Sequence, residues 1–162
     1  MSRYETPENI LFIRRTQDGQ VHGGQIGFPG GRVEEQDADL TDTALRECEE
    51  EIGLKREAIE VLGQLSSLYI PPSGFLVTPV LASWHQEFAL TPSPREVAEI
   101  LSIPIDVFHN PATRCVKNMY SSSRQAMLEA VPVYSVSASV DIWGATAMML
   151  AELLWLMQEA KP

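Results

Sequence analysis

Three glutamates, Glu47, Glu50 and Glu51, stand at i, i+3 and i+4 in the run Arg46-Glu47-Cys48-Glu49-Glu50-Glu51-Ile52-Gly53-Leu54. On a helix that spacing brings all three to one face. Like charges so placed repel, by about 0.2–0.5 kcal/mol per pair on an isolated helix. They lie toward the C-terminal end of their segment, where the helix dipole disfavours anions. Ordinary stability therefore does not explain the cluster. A hard divalent cation would turn the repulsion into binding, because Mg²⁺ takes oxygen ligands and keeps substrate phosphates in its shell. The bland alternative is a solvated acidic face. Two neighbours weigh against it: a glycine turn upstream, Phe28-Pro29-Gly30-Gly31, and an arginine, Arg46, at the head of the cluster. Types and spacing together point to a metal-dependent site that handles phosphate.

The elements that must hold these residues are legible in outline. Leu40, Ala44, Leu45, Cys48 and Ile52 recur at near-helical spacing and predict a helix over 41–52 with a buried apolar stripe. Asp39 and Thr41 both suit its N-cap, and Gly53 suits a left-handed ending. Strands are predicted over 9–15, 59–69, 75–84 and 97–103, with 21–28 extended but interrupted by glycines. Residues 71–74, Pro-Pro-Ser-Gly, are turn chemistry. Residues 105–109 suit one helical turn, and 112–120 with 125–136 a hairpin. A last helix is predicted over 142–158, buried and capped by Asp141, with Trp84, Trp143 and Trp155 in the core. Strands outnumber helices, which suggests an α/β fold with a sheet covered by helices.

The segment from Gly31 to Leu54 resembles the Nudix box, a glycine followed at fixed spacing by an acid and then by Arg-Glu-apolar-x-Glu-Glu-x-Gly-apolar. Arg46, Glu47, Glu50, Glu51, Gly53 and Leu54 match, and Cys48 stands where a larger apolar residue is usual. Gly31 lies one residue too far from Arg46. Counted from Gly31, the early acidic position falls on Asp37; counted back from Arg46, it falls on Ala38. A one-residue insertion in the loop reconciles the two, and Asp37 is taken as the equivalent. The preceding run, from Leu11 to Gly31, is similar to the extra signature of the coenzyme A diphosphatase branch. Leu11, Arg15, Gly24 and Phe28 through Gly31 fit it, while Gln20 replaces its second arginine. Phe12, Ile13 and Thr16 depart mildly. The segments 73–80 and 142–147 look like later parts of that branch.

The resemblance implies an α/β/α Nudix sandwich with a mixed central sheet, formed as one hydrolase domain over residues 1–162. It implies hydrolysis of a diphosphate with Mg²⁺ or Mn²⁺. Carried over by position, Glu47, Glu50 and Glu51 would ligate the metal, with the Gly31 carbonyl completing the shell. Arg46 would hold a glutamate in its rotamer through a charge-assisted bond. One carboxylate would orient or deprotonate water: Glu47, Glu50, or a later acid for which Glu96 is the candidate. Arg15 would face the substrate, since Arg14 and Arg15 alternate across a strand. Arg32 and Gln20 complete the expected substrate contacts. His22, His85 and His109 show no metal-ligand spacing. Three functions are weighed: a coenzyme A diphosphatase; a Nudix hydrolase of another nucleoside diphosphate derivative, favoured by Gln20; and a non-catalytic binding domain, disfavoured by the intact Arg46, Glu47, Glu50 and Glu51.

Composition narrows the partners. Twelve basic against 22 acidic residues leave a net charge of −10, which argues against a duplex nucleic acid as partner. It leaves room for a small phosphorylated substrate, because a bound metal supplies the positive field. Two cysteines, Cys48 and Cys115, make no disulfide framework and are expected to be a core and a strand residue. The first residues carry no apolar leader, and 142–157 is short for a bilayer span and contains Glu152. A cytoplasmic, non-membrane protein is expected. A homodimer is compatible with the sequence, which does not set the oligomeric state.

Overall fold

In the computed structural model, residues 9–17, 23–71, 73–84, 89–122 and 124–159 are described. The first half runs β1 (Asn9–Arg15), β2 (Ile26–Gly27), α1 (Leu40–Ile52), β3 (Ile59–Gln64), β4 (Leu68–Ile70), β5 (Phe75–Val77) and β6 (Val80–Trp84). The second runs β7 (Val97–Pro104), α2 (Ile105–His109), β8 (Arg114–Ser121), β9 (Ala126–Ser137), β10 (Val140–Trp143) and α3 (Gly144–Glu159).

Strand β1 divides the molecule. Phe12 and Ile13 are both fully buried, yet successive strand residues point to opposite faces. Phe12 joins one core with Ile26, Ile103, Phe108, Ile142 and, from α3, Leu150 and Leu154. Ile13 joins a second core with Val97, Leu54, Ala58 and, from α1, Ile52. A helix therefore covers each face of the β2-β1-β7 sheet, as an α/β/α sandwich requires. Phe12 stacks on Phe28 at 4.9 Å between ring centroids and packs tilted against Phe108, so the first core also anchors the glycine turn. The other strands form a β10-β9-β8 sheet and the pairs β3-β6 and β4-β5. Every pairing among the described residues is antiparallel; the parallel pairing that would make the sheet mixed is not among them.

Several elements differ from the sequence expectation for local reasons. The strand expected over 59–69 is two, β3 and β4. The ladder shifts register between Val61 and Gly63, and the N–H groups of Leu65 and Ser66 leave it for the Pro79 carbonyl and the Glu152 carboxylate. The strand over 75–84 is likewise two, interrupted at Thr78-Pro79, where proline has no N–H to donate. Asp141 caps no helix. It lies in β10, and its carboxylate takes two bonds from the Lys117 ammonium, at 2.7 and 2.8 Å. The last helix starts only at Gly144 and is half-covered, with Trp155 58% exposed rather than in the core.

Helix α1 keeps its ends and buries Ile52 of the expected apolar stripe, and it also buries a polar edge beside that stripe. Asp39 is the cap, accepting the Asp42 N–H at 2.8 Å, while the Asp42 carboxylate accepts the Ala38 N–H in return, a reciprocal arrangement that satisfies two orphan donors. Gly53 ends the helix at φ 69°, and its N–H and that of Leu54 close on the last carbonyls. Leu40, expected in the apolar stripe, is exposed, whereas Thr43 and Glu51 are buried. Thr43, Glu47 and Glu51 stand at i, i+4 and i+8, so the inward ridge is polar. It faces the glycine turn.

Candidate active site

The two glycines of the turn serve the ridge in different ways. Gly30 adopts φ 150°, a conformation that side-chain-bearing residues rarely reach. That conformation lets its N–H donate to Glu51 Oε2 at 2.9 Å while its carbonyl accepts from Arg15 Nη2 at 3.0 Å. Gly31 is needed for space instead. A Cβ there would fall 2.5 Å from the carboxyl carbon of Glu47, so the Glu47 carboxylate lies directly against the turn backbone. One glycine thus shapes the backbone for Glu51 and the other makes room for Glu47.

Arg46 organises the opposite end of the ridge. Its Nε and Nη2 donate to the two oxygens of Asp37 at 2.8 and 3.0 Å, a bidentate pair. Nη2 also reaches the Arg32 carbonyl at 2.9 Å, and Nη1 reaches Glu47 at 2.9 Å and Glu50 at 3.1 Å. Asp37 accepts two more bonds, from the Glu34 N–H and the Thr43 hydroxyl. The Arg46 guanidinium first, and then the Glu34 N–H, hold the Asp37 carboxyl well below the usual carboxylate range. Asp37 is therefore the acid that meets the arginine, across the longer loop. Thr43, which supplies its fourth bond, had no signal in the sequence beyond its i−4 spacing to Glu47.

Glu51 contrasts with this. Its side chain is 1% exposed, and apart from the Gly30 N–H it has only Arg15 at 3.4 Å. Burial pushes its carboxyl up to about 7, with Glu47 and Glu96 adding to the rise and the Gly30 N–H and Arg15 opposing it. Burial also raises Glu47, against the pull of Arg46, with Glu50 and Glu96 again adding. Glu96, exposed at the entry to β7, thus makes itself felt at both glutamates. Burial pushes the Cys48 thiol up to about 11, ahead of the effects of Glu51 and Glu47, and holds it protonated.

The other expected site residues separate cleanly. Arg15 faces the turn, whereas Arg14 turns away to Glu99 and the Ser139 carbonyl. Arg32 is exposed and lies over the Phe75 ring, 4.6 Å from its centroid. Phe75, on β5, lies in the 73–80 segment that resembles a later part of the branch, but no site role was expected of it. Gln20, His22 and His85 lie outside the described residues. Cys48 and Cys115 are free. No helix among the described residues is long and apolar enough to cross a membrane.

The three glutamates expected as metal ligands are not gathered into one cage. Among the described residues, no three His, Cys, Asp or Glu side chains stand close enough together to hold an ion. Arg46 draws Glu47 and the exposed Glu50, while the turn draws Glu51. The donor chemistry nevertheless fits a hard cation. Glu47 and Glu51 share the buried ridge, all donors are oxygens, and the raised carboxyl of Glu51 marks a charge short of positive partners.

The sequence model of the NUDIX domain matches residues 3–120. The chain belongs to the Nudix family. It is 40% identical over 151 residues to an uncharacterized Nudix hydrolase, NudL, of Pectobacterium atrosepticum, covering 93% of this chain and 75% of that protein. It is 30% identical over 155 residues to the peroxisomal coenzyme A diphosphatase NUDT7 of Mus musculus, covering 94% of this chain and 65% of that protein. Among solved structures, the Nudix hydrolase RenU of M. smegmatis superposes with a TM-score of 0.59 at 16% identity, covering 95% of this chain and 78% of that one. A MutT Nudix hydrolase of Burkholderia pseudomallei gives 0.54 at 17%, covering 91% and 90%. These likenesses show the Nudix fold. The chain is a hydrolase of a family that generally uses divalent metals such as Mg²⁺ or Mn²⁺ and acts on small nucleoside diphosphate substrates.

Proposed function

We propose that the diphosphate this Nudix hydrolase cleaves is that of coenzyme A or an acyl derivative, giving adenosine 3′,5′-bisphosphate and a phosphopantetheine, with Mg²⁺ or Mn²⁺ as cofactor. The observation that carries the reading is Arg15. It belongs to the signature that precedes the box, and it reaches both the Gly30 carbonyl and the Glu51 carboxylate. That contact supports reading the signature and the box as one site. The mouse relative named as a coenzyme A diphosphatase supports the same substrate. We read residues 1–162 as a single domain acting in the cytoplasm, in keeping with the two free cysteines.

Glu47, Glu51 and the Gly31 carbonyl would hold the cation, joined by Glu50 on release from Arg46. When bound, the cation neutralises phosphate oxygens and stabilises the charge of the transition state. The protein's own residues do the rest. Arg46 keeps Glu47 in its rotamer by a charge-assisted bond. Asp37 keeps Arg46 in place, engaging two of its nitrogens. Glu47 or Glu96 takes the proton from the attacking water; Glu47 stands on the ridge, and Glu96 adds to the rise of the Glu47 and Glu51 carboxyls. Arg15 and Arg32 meet the diphosphate oxygens.

A second reading, hydrolysis of a dinucleotide or nucleotide sugar, is favoured by Gln20, which stands where the signature has an arginine. A substrate panel of coenzyme A, dephospho-coenzyme A, acyl derivatives, dinucleotides and nucleotide sugars, with each metal and with chelator, tests both. Coenzyme A turnover that chelator abolishes is expected; another diphosphate turned over with coenzyme A ignored supports the second reading. Gln20→Arg is expected to lower KM for coenzyme A and to lose that effect with dephospho-coenzyme A, which lacks the 3′-phosphate.

A further inference from the structure

Arg32 and Phe75 come from separate parts of the chain, the residue after the glycine turn and the first residue of β5. The Arg32 guanidinium nevertheless lies 4.6 Å from the centroid of the Phe75 ring. The register of the β4-β5 pair explains how the ring gets there. Phe75 faces Ile70 and shares a side with Leu68 and Val77, whereas Tyr69 and Leu76 share the other side and are more exposed. Phe75 itself is 39% exposed, so it is a ledge rather than a core residue.

The arginines around the site differ in what occupies their N–H donors. Arg15 is engaged by Glu51 and the Gly30 carbonyl, and Arg46 by Asp37, Glu47, Glu50 and the Arg32 carbonyl. Arg32 has no carboxylate within ion-pair distance among the described residues. It is held by a ring face, which restrains the guanidinium while leaving its donors free. Its backbone is fixed as well, because its carbonyl is the one that Arg46 grips. A restrained cation with free planar donors, one residue from the backbone that abuts Glu47, is suited to an incoming phosphate.

We propose that Phe75 is a positioning residue: its ring holds the Arg32 guanidinium at the mouth of the glutamate ridge as a preformed receptor for the substrate diphosphate. The inference rests on the diphosphate hydrolase reading above. It goes beyond that reading in assigning a role to Phe75 of the β4-β5 hairpin, a residue outside the box to which the resemblance of the 73–80 segment gives no function.

The test combines turnover of the best substrate in the panel with calorimetric binding of ADP in the presence of Mg²⁺. Arg32→Gln is expected to raise KM and the ADP dissociation constant about ten-fold. Phe75→Leu should raise both by about two- to five-fold, with kcat changed far less, and Phe75→Trp should restore them. In the double variant, Phe75→Leu should add nothing to Arg32→Gln, because the ring acts through the arginine. Independent, multiplying effects overturn the proposal. So does a Phe75→Leu enzyme whose melting temperature falls while KM and ADP affinity stay put, which would make the contact a structural staple. If the wild type binds ADP in an Arg32- and Phe75-dependent way yet hydrolyses nothing in the panel, the receptor stands and the hydrolase substrate reading falls. A wild type that neither binds ADP nor turns over a diphosphate sinks both.

Discussion

Asp37 and Glu51 are both acids with side chains only 1% exposed, both within reach of an arginine, and their protonation is driven in opposite directions. Asp37 receives two nitrogens of Arg46, one backbone N–H and one hydroxyl, and is held ionised far into acid. Glu51 receives one backbone N–H and an arginine 3.4 Å away, and its carboxyl is pushed up to about 7. Low side-chain exposure alone therefore does not set the state of a carboxylate: at Asp37 the guanidinium and N–H donors outweigh burial, and at Glu51 burial outweighs its donors. Asp37 has its full complement and acts as a fixture. Glu51 has fewer donors than its burial calls for.

The widest gap between the two should open on neutralising each in turn. Glu51→Gln is expected to cut turnover by about 10²–10⁴-fold, while the metal-free protein at pH 8 melts at the same or a higher temperature, because a strained charge has gone. Near-normal turnover would remove Glu51 from the chemistry. Asp37→Asn should do the reverse in kind: the melting temperature falls by several degrees, and activity falls by about 10–100-fold through a loosened Arg46. Should Asp37→Asn leave stability untouched, the clamp is not a fixture.

The pH dependence of stability separates them without mutation. In chelator, Glu51 ionises freely in the unfolded chain above its ordinary value of 4.5 but resists ionisation in the folded protein up to about 7. The folded state holds the extra proton, so stability falls as pH rises between those values and then levels. Asp37 works with the opposite sign. Its folded value lies below its ordinary 3.8, so its contribution is present above that pH and is lost as pH falls beneath it. Melting curves from pH 2 to 9 should show the Glu51 limb in full and the onset of the Asp37 limb. Glu51→Gln flattens the upper one and Asp37→Asn the lower. A metal-free profile with no loss between pH 5 and 7 would contradict the assignment for Glu51. The smallest effect is expected from Thr43→Val, which takes one of four bonds from Asp37: about 0.5–1.5 kcal/mol of stability, with turnover nearly intact.

The sequence made one of these two acids plain and the other obscure. Glu51 sits inside a box whose spacing is written in consecutive residues. Asp37 sits across a loop whose extra residue moved the count between Asp37 and Ala38, and only the bond to Arg46 decides it. The strand β1, the helix α1, the α2 turn and the β8-β9 hairpin were legible because local pattern and turn chemistry agree there. The break between β3 and β4 was not, since it depends on the Pro79 carbonyl and on Glu152 of α3, distant in sequence; the break between β5 and β6 did have a local signal, Pro79, which the reading of one strand over 75–84 passed over. Asp141 was misjudged because an acid before an apolar run resembles a cap, whereas Lys117 of β8, two strands away in the same sheet, claims it. The polar ridge of α1 escaped for the same reason. A stripe of apolar residues predicts what can be buried, and the glycine turn decides what is.

The β4-β5 pair has a consequence for motion. Its strands are three residues each and, among the described residues, pair only with one another, whereas β1 is paired along both edges and buried on both faces. Backbone amides of β1 should exchange with deuterated solvent slowly, close to the rate set by global unfolding, and those of the hairpin should exchange early. Arg15 rides on the slow strand and Phe75 on the fast one. Warming should therefore loosen the grip on substrate before it disturbs the glutamate ridge, so that KM climbs at temperatures where kcat is still rising.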